Sequence, residues 1–352
     1  MAVAPDAIVE CRGNGRERGH AHGEALRGRI ASLLDRWDAD VAARTDRGPG
    51  ALVAELVGAT GFVAAIERHT PDLLDEVRGI AEAAGVAFER ILALNLMDEE
   101  WWLTAPAEPR EACSVLATAG GDGDPPVLAQ NMDLPEVMDG AQAIVRWDDG
   151  RGGAGVTLTA AGMIGLTGVN AAGLGVCVNT LTMLNHSRAG LPVAFVMRGV
   201  LERTSVEAAA AFLVDVRHAS GQHYALADSD GVAGYECSAA GAVRSDDGSG
   251  SLRHTNHPLR SRDLDPARAP EGAPDSHIRL AALAAAAPRV RTGADCERVL
   301  ADRDTPLCVI PAPGRPWITF GSIWAELAAP ARARIAPGPP DRTAWVDAAP
   351  AT

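Results

Sequence analysis

The residue pattern of this chain changes at residues 105–110, where a polar segment with two prolines follows about a hundred residues of helical pattern. Before this linker, apolar residues recur every three or four positions, as on one face of a helix. After it, short apolar runs alternate with turns rich in Gly, Asp and Pro, as in antiparallel hairpins. The change predicts an α+β fold in which an N-terminal helical segment packs around mostly antiparallel sheets.

Four helices are predicted before the linker, at 24–41, 51–68, 71–84 and 88–96. The third has the clearest ends, because Pro71 suits the first helical position and Gly85 suits the residue after the last turn. A mostly helical stretch is also expected at 191–218, with Thr204 or Ser205 as an N-cap in its middle. Two further helices are expected at 276–287 and 293–303.

The strands are predicted mainly between the linker and residue 245, with a final pair near the C-terminus. Their expected ranges are 113–119, 127–132, 143–147, 155–160, 164–169, 174–180, 224–227, 234–237, 242–245, 319–326 and 331–335.

Composition and charge exclude several classes of partner. The 352 residues carry a formal net charge of −14, which argues against nucleic acid or an anionic membrane surface as a general partner. No apolar run approaches the length of a membrane-spanning helix. The first residues lack the pattern of a secretory signal, and the six cysteines form no Cys-x-x-Cys pair. We therefore expect a cytoplasmic protein with free thiols.

Cys113 opens an apolar strand directly after the linker and allows two interpretations. A single cysteine in such a place is most often a small buried core residue. Alternatively, the chain is cut between residues 112 and 113, which would expose the α-amine of Cys113. A free α-amine has a pKa of roughly 7.7–8.0 and can serve as a base for the adjacent thiol. The residues alone leave both interpretations open.

Several segments, in their order and spacing, resemble one known family. They are Glu-Arg-Gly-His-Ala-His-Gly at 17–23, Asp-Glu-Val-Arg-Gly-Ile-Ala-Glu at 75–82, Leu-Asn at 94–95, Cys-Ser at 113–114, Gln-Asn-Met-Asp at 130–133, Gly-Met-Ile-Gly at 162–165, Asn-x-x-Gly at 170–173 and His-Thr-Asn-His at 254–257. Together they resemble the acyl-coenzyme A:6-aminopenicillanate acyltransferase family. This is a family of self-processing N-terminal-nucleophile hydrolases, also classed as C45 peptidases.

The resemblance implies a four-layer αββα sandwich and a set of site residues. Cys113 matches the family's processed nucleophile, and Asp133 matches an acid used in self-cleavage or in orienting the terminal amine. Asn256 matches the side-chain amide that stabilises the oxyanion. Arg315 roughly matches a functional arginine, although the alignment there needs a shift of one residue. Self-cleavage would give fragments 1–112 and 113–352, held together as a heterodimer, with the first supplying helices and the second the catalytic sheets.

The implied activity is amide hydrolysis or acyl transfer on a small acyl amide or acyl thioester, through a thioester on Cys113. No cofactor or metal is expected. Two other possibilities stay open. One is an unprocessed cysteine hydrolase with His254 or His257 as its base, and the other is a binding protein of the same fold without activity.

Overall fold

The computed structural model of the protein describes residues 8–104, 113–121, 123–268, 274–312 and 316–350. The α-helices within these residues are α1 (Gly15–Arg44), α2 (Pro49–Gly58), α3 (Phe62–His69), α4 (Pro71–Ala84), α5 (Phe88–Leu94), α6 (Met97–Thr104), α7 (Val193–Leu201), α8 (Val206–Asp215), α9 (Pro274–Ala286) and α10 (Gly293–Leu300). Two short 3₁₀ segments lie at Glu136–Met138 and Ala287–Arg289.

The strands within the described residues are β1 (Ile8–Arg12), β2 (Ser114–Thr118), β3 (Val127–Pro135), β4 (Gln142–Asp148), β5 (Ala154–Ala160), β6 (Thr167–Asn170), β7 (Gly175–Thr180), β8 (Gln222–Asp228), β9 (Gly231–Ser238), β10 (Gly241–Arg244), β11 (Ser251–His254), β12 (Trp317–Glu326), β13 (Arg332–Ala336) and β14 (Val346–Asp347). These strands form two sheets. The larger sheet has the order β1-β4-β5-β6-β7-β8-β9-β10, and the smaller has the order β11-β2-β3-β12-β13-β14. The pairings between these strands are antiparallel except that of β1 with β4.

Side-chain alternation along the smaller sheet shows how the layers stack. Val115 and Leu128 belong to the main core, which also contains residues of the larger sheet. Their neighbours Leu116 and Ala129 belong to a second core with Leu283 of α9 and residues of α10. Successive strand residues face opposite sides, so one face of this sheet packs on the larger sheet and the other on α9 and α10. Helices α7 and α8 contact the larger sheet. The predicted αββα sandwich is confirmed.

Several element boundaries agree with the sequence predictions. α4 begins at Pro71 and ends before Gly85, whose φ of 72° is the left-handed cap expected of that glycine. Ser205 caps α8 by accepting a hydrogen bond from the Ala208 N–H. The single helix predicted at 51–68 is wrong, because the chain breaks into α2 and α3. There the Thr60 hydroxyl bonds the Leu56 carbonyl, and Gly61 N–H bonds the Arg188 carbonyl.

The N-terminal segment supplies more than the helices expected of it. Its first described residues form β1, which pairs with β4 in parallel register, Ile8 opposite Ile144. β1 was not predicted from the sequence, because a strand whose partner is distant in sequence carries no local pattern of that pairing. The part of the chain before the linker therefore shares a sheet with the part after it.

α1 packs unusually close to α4 through a row of glycines. A Cβ placed on Gly19 would lie 2.0 Å from the Glu76 carbonyl oxygen, and one on Gly79 would lie 2.3 Å from the Arg16 carbonyl oxygen. A Cβ on Gly15 would lie 1.8 Å from the Asp72 carbonyl oxygen, and one on Gly23 would lie 2.5 Å from the Ile80 carbonyl oxygen. Only glycine permits this approach of the two backbones.

A buried ion cluster joins this helix pair to α7. Glu76 of α4 accepts hydrogen bonds from Arg18 of α1 and Arg198 of α7, all three side chains being about 2% exposed. The two guanidinium groups lower the pKa of the buried Glu76 carboxyl, opposing the effect of burial. Arg198 also donates to the Ile164 carbonyl at 2.6 Å, which connects the cluster to a loop beside the candidate site.

By length and composition, no single helix among the described residues would cross a membrane, although the bent pair α2 and α3 together meets those two criteria.

We predict that Gly19→Ala lowers the free energy of unfolding by about 3 kcal/mol, because the new methyl group would overlap the Glu76 carbonyl. Gly28→Ala on the same helix is the matched control, since a Cβ there meets no atom within 4 Å. It should stabilise the protein by about 0.5–1 kcal/mol. Urea unfolding of both variants measures the difference. Equal effects of the two substitutions would contradict the close helix contact.

Candidate active site

The register of four neighbouring strands brings three of the predicted site residues to one end of the smaller sheet. Cys113 lies one residue before β2, whose Ser114 is opposite Asn131 of β3, so Asp133 lies just beyond the cysteine. β11 pairs with the other side of β2 and ends at His254, opposite Val115, which puts Asn256 beside the start of β2. β12 flanks β3, with Thr319 opposite Asp133. Cys113, Asp133 and Asn256 line one pocket.

The Cys113 thiol is buried, with 5% of the residue exposed. Its Sγ lies 3.6 Å from the Met132 Sδ and 3.8 Å from the Asp133 carbonyl oxygen. The Cys113 carbonyl accepts a hydrogen bond from the Arg279 guanidinium, which also donates to the Ser114 hydroxyl at 3.1 Å. The backbone that carries the thiol is therefore held by a cation from α9.

Arg279 also fixes the orientation of the Asn256 amide. Its Nη2 donates to Asn256 Oδ1 at 3.0 Å, and arginine has no acceptor, so this atom of the amide must be the oxygen. The Asn256 Nδ2 then donates to the Thr180 carbonyl at 3.1 Å. An amide nitrogen carries two hydrogens, so one remains besides the bond to Thr180, and Asn256 is one of the residues that line the pocket.

The Asp133 side chain is hydrogen-bonded to Thr319 of the neighbouring strand β12. Its Oδ1 accepts a hydrogen bond of 2.5 Å from the Thr319 hydroxyl, and that hydroxyl oxygen accepts the Val309 N–H at 2.8 Å. The residue is 1% exposed and lines the pocket. A carboxyl group thus lies on the wall shared with the thiol.

The rest of the described pocket wall is largely apolar. Trp101 lies on this wall, edge to face against Trp317 with ring centroids 5.8 Å apart, whereas Trp102 stacks on His186. Four methionines line the pocket as well, namely Met97, Met132, Met163 and Met197. Thioether side chains adapt readily to the shape of an apolar ligand.

The two histidines considered as alternative bases have other partners. His254 has Nε2 at 2.9 Å from Glu236 and Nδ1 at 2.7 Å from the Thr255 carbonyl, so both ring nitrogens are occupied. His257 has Nδ1 at 2.7 Å from the Ser276 hydroxyl, and burial lowers its pKa to about 4. Neither histidine lines the pocket among the described residues. Their contacts fix the segment that carries Asn256.

Two adjacent residues of α6, Asp98 and Glu99, carry buried carboxyl groups. Asp98 lines the pocket, and Glu99 is not among its described lining residues. Asp98 is 8% exposed and Glu99 is 1% exposed. Glu99 Oε1 accepts hydrogen bonds from the Ser220 hydroxyl and the Val193 N–H. Burial, together with the charge of Asp98, raises the pKa of Glu99 to about 8, and burial raises the pKa of Asp98.

Cys113, Asp133 and Asn256, predicted from the sequence, lie together in this pocket, and their catalytic roles stay predictions. The predicted Arg315 lies outside the described residues. Arg279, which bonds both Cys113 and Asn256, was missed, because one arginine in an alanine-rich helix carries no sequence signal of its position. Asp98 was also missed, although it belongs to a run of three acidic residues at 98–100 that is flanked by apolar residues. Among the described residues, no group of three His, Cys, Asp or Glu side chains is arranged to hold a metal ion.

A family model described as acyl-coenzyme A:6-aminopenicillanic acid acyl-transferase matches residues 118–335, more than half of the 352 residues. The chain belongs to this family. The acyl-coenzyme A:6-aminopenicillanic-acid-acyltransferase 40 kDa form of Emericella nidulans is 27% identical over 199 residues, 56% of this chain and 53% of that protein. The match therefore spans about half the length of this curated relative.

Two solved structures are also similar. Penicillin V acylase from Agrobacterium tumefaciens has 16% identity and a TM-score of 0.46, covering 67% of this chain and 86% of that chain. A variant of conjugated bile acid hydrolase from Clostridium perfringens has 12% identity and a TM-score of 0.42, covering 67% of this chain and 97% of that chain.

The raised pKa of Glu99 predicts a stability that falls with pH. The folded pKa of about 8 exceeds the ordinary value of 4.5, so the folded state retains this proton between those values and loses stability as the pH rises. Glu99→Gln cannot ionise and should escape this loss. We expect its melting temperature to gain about 2–4 °C relative to the wild type between pH 6 and 8. A difference that stays constant over this range would contradict the prediction.

Proposed function

We propose that this protein is a self-processing cysteine hydrolase or acyltransferase that acts on the acyl-amide or acyl-thioester bond of a small molecule. The observation that carries the proposal is the convergence of Cys113, Asp133 and Asn256 on one pocket at the ends of neighbouring strands. Membership in the acyltransferase family supports the reaction class.

Self-cleavage is the first step of the proposed mechanism. The Cys113 thiol attacks the carbonyl of residue 112, and the acyl group moves from nitrogen to sulfur. Water then hydrolyses this thioester, which leaves a carboxylate on fragment 1–112 and a free α-amine on Cys113. Amine and thiol now belong to one residue, so the base is placed beside its nucleophile without a second side chain.

Contacts between the two parts support a lasting heterodimer of fragments 1–112 and 113–352. The Asn95 side chain donates to the Gly162 carbonyl and accepts the Ile164 N–H, and His22 accepts the Gly162 N–H at 2.9 Å. Burial lowers the pKa of His22 to about 4, consistent with a neutral ring that accepts this bond. Trp101 of the first part lines the pocket of the second.

In the proposed catalytic cycle, the α-amine takes the thiol proton as sulfur attacks the substrate carbonyl carbon. The negative charge that develops on the carbonyl oxygen is stabilised by the Asn256 Nδ2–H and by backbone N–H groups. Asp133 stabilises the ammonium formed on the base. Collapse expels the amine or thiol with that proton, leaving an acyl thioester on Cys113. Water then completes hydrolysis, or an acceptor amine completes transfer.

Turnover of a series of acyl p-nitroanilides, with and without added amines, tests this proposal. The wild type should release nitroaniline, and rapid acid quenching should trap an acyl adduct on the C-terminal fragment. Cys113→Ala should lower kcat by about 10⁴-fold or more, because the nucleophile is lost. Cys296→Ala is the matched control, since that buried cysteine belongs to α10 and lies in the second core, away from the described pocket wall. Turnover that survives Cys113→Ala would contradict the proposal.

The contacts of Arg279 predict that it acts through Asn256. Arg279→Lys cannot bond the Cys113 carbonyl, Ser114 and Asn256 in the same fork geometry, so we expect kcat to fall about 10²-fold. Combined with Asn256→Ala, it should cost clearly less than the product of the two single losses, because the part of its effect exerted through that amide is already lost. Arg298→Lys, at an exposed position of α10, is the control. Fully additive losses in the double variant would contradict a positioning role.

A further inference from the structure

The described wall of the pocket contains one carboxyl group besides Asp133. Asp98 lies there among the four methionines and two tryptophans already named, and it is 8% exposed. No Lys, Arg or His occurs among the described residues of the wall. A carboxyl group in such surroundings is costly to ionise without a partner, and burial accordingly raises its pKa.

The hydrogen bonds of Asp98 leave one oxygen for a ligand. Oδ1 accepts from the Thr180 hydroxyl at 2.6 Å and from the Gln222 amide at 2.9 Å, both neutral donors. Oδ2 accepts no hydrogen bond from another described side chain. Because the Thr180 carbonyl also accepts from Asn256, the Asp98 carboxyl is fixed relative to the amide proposed to hold the oxyanion.

The pocket is lined by residues of both sheets and of α6 and α7. They include Leu134, Val178, Asp98 and Val193. In a thioester mechanism the acyl group stays on the enzyme while the amine leaves. An enclosed apolar pocket at the nucleophile therefore suits the acyl group, and its two carboxyl groups disfavour an acyl group that carries a carboxylate.

We propose, resting on the proposed function, that the preferred acyl group has an apolar body and a protonated amine that binds Asp98 Oδ2. The ammonium group supplies the positive charge that the described wall lacks, and the methionines and tryptophans cover the methylene chain. Asp98 is thus the residue that determines acyl specificity, and it belongs to the fragment before the linker.

A matched series of anilides tests this inference. 6-Aminohexanoyl, heptanoyl, 6-hydroxyhexanoyl and adipoyl p-nitroanilides have similar lengths and differ at the terminal group. In the wild type near pH 8, kcat/KM should be about tenfold or more higher for the aminohexanoyl than for the heptanoyl compound, and lowest for the adipoyl compound. Asp98→Asn should bring the amino-to-methyl ratio close to one.

A second measurement needs no variant and keeps the inference testable if Asp98→Asn fails to fold. Hexylammonium should inhibit wild-type turnover of the heptanoyl anilide with a Ki about tenfold below that of 1-hexanol, and this advantage should shrink as Asp98 becomes protonated at lower pH. A preference for the heptanoyl, hydroxyl or adipoyl compound, an unchanged ratio in Asp98→Asn, or equal Ki values would overturn the inference.

The two proposals fail differently. If the heptanoyl anilide is hydrolysed through Cys113 and the ammonium gives no advantage, the proposed function stands and the acyl specificity is wrong. If none of the four anilides is hydrolysed and no acyl adduct forms on Cys113, the proposed function fails and the specificity fails with it.

Discussion

The antiparallel register of β11, β2, β3 and β12 is the constraint on which the candidate site depends. It places the beginnings of two strands beside the ends of the other two, so residues far apart in sequence meet at one edge of the sheet. A slip of one residue would turn each side chain to the opposite face. Two separate cores, one on each side of this sheet, oppose such a slip.

Two buried arginine side chains connect the residues around the pocket to the helices. Arg279 bonds both the cysteine backbone and Asn256, and Arg198 bonds Glu76 and the Ile164 carbonyl at another side of the pocket. Both guanidinium groups are almost fully buried, so each contact they make is weakly screened by solvent. The Cys113 backbone and the Asn256 amide are thereby held in one arrangement before any substrate binds, which is the preorganisation that the proposed mechanism requires.

How much the sequence predicts depends on the range of the interaction concerned. Local signals placed α4 correctly, because Pro71 and Gly85 determine its ends. The family resemblance pointed to Cys113, Asp133 and Asn256, which line one pocket and whose roles stay predictions. β1 was missed because its partner strand lies more than 130 residues away. The break at Thr60 and the role of Arg279 likewise depend on contacts with distant segments, which no local pattern contains. Asp98 was visible as an acid, but its place in the pocket follows only from the folded chain.

The central claim is that Cys113 becomes an N-terminal residue, and intact mass spectrometry of the freshly purified, denatured protein tests it most directly. We predict two species, one ending at Ala112 and one beginning at Cys113, whose masses add up to the full chain plus one water. The Cys113→Ala variant should give a single uncut chain. A wild-type protein that remains one unmodified chain and is nonetheless active would contradict the account.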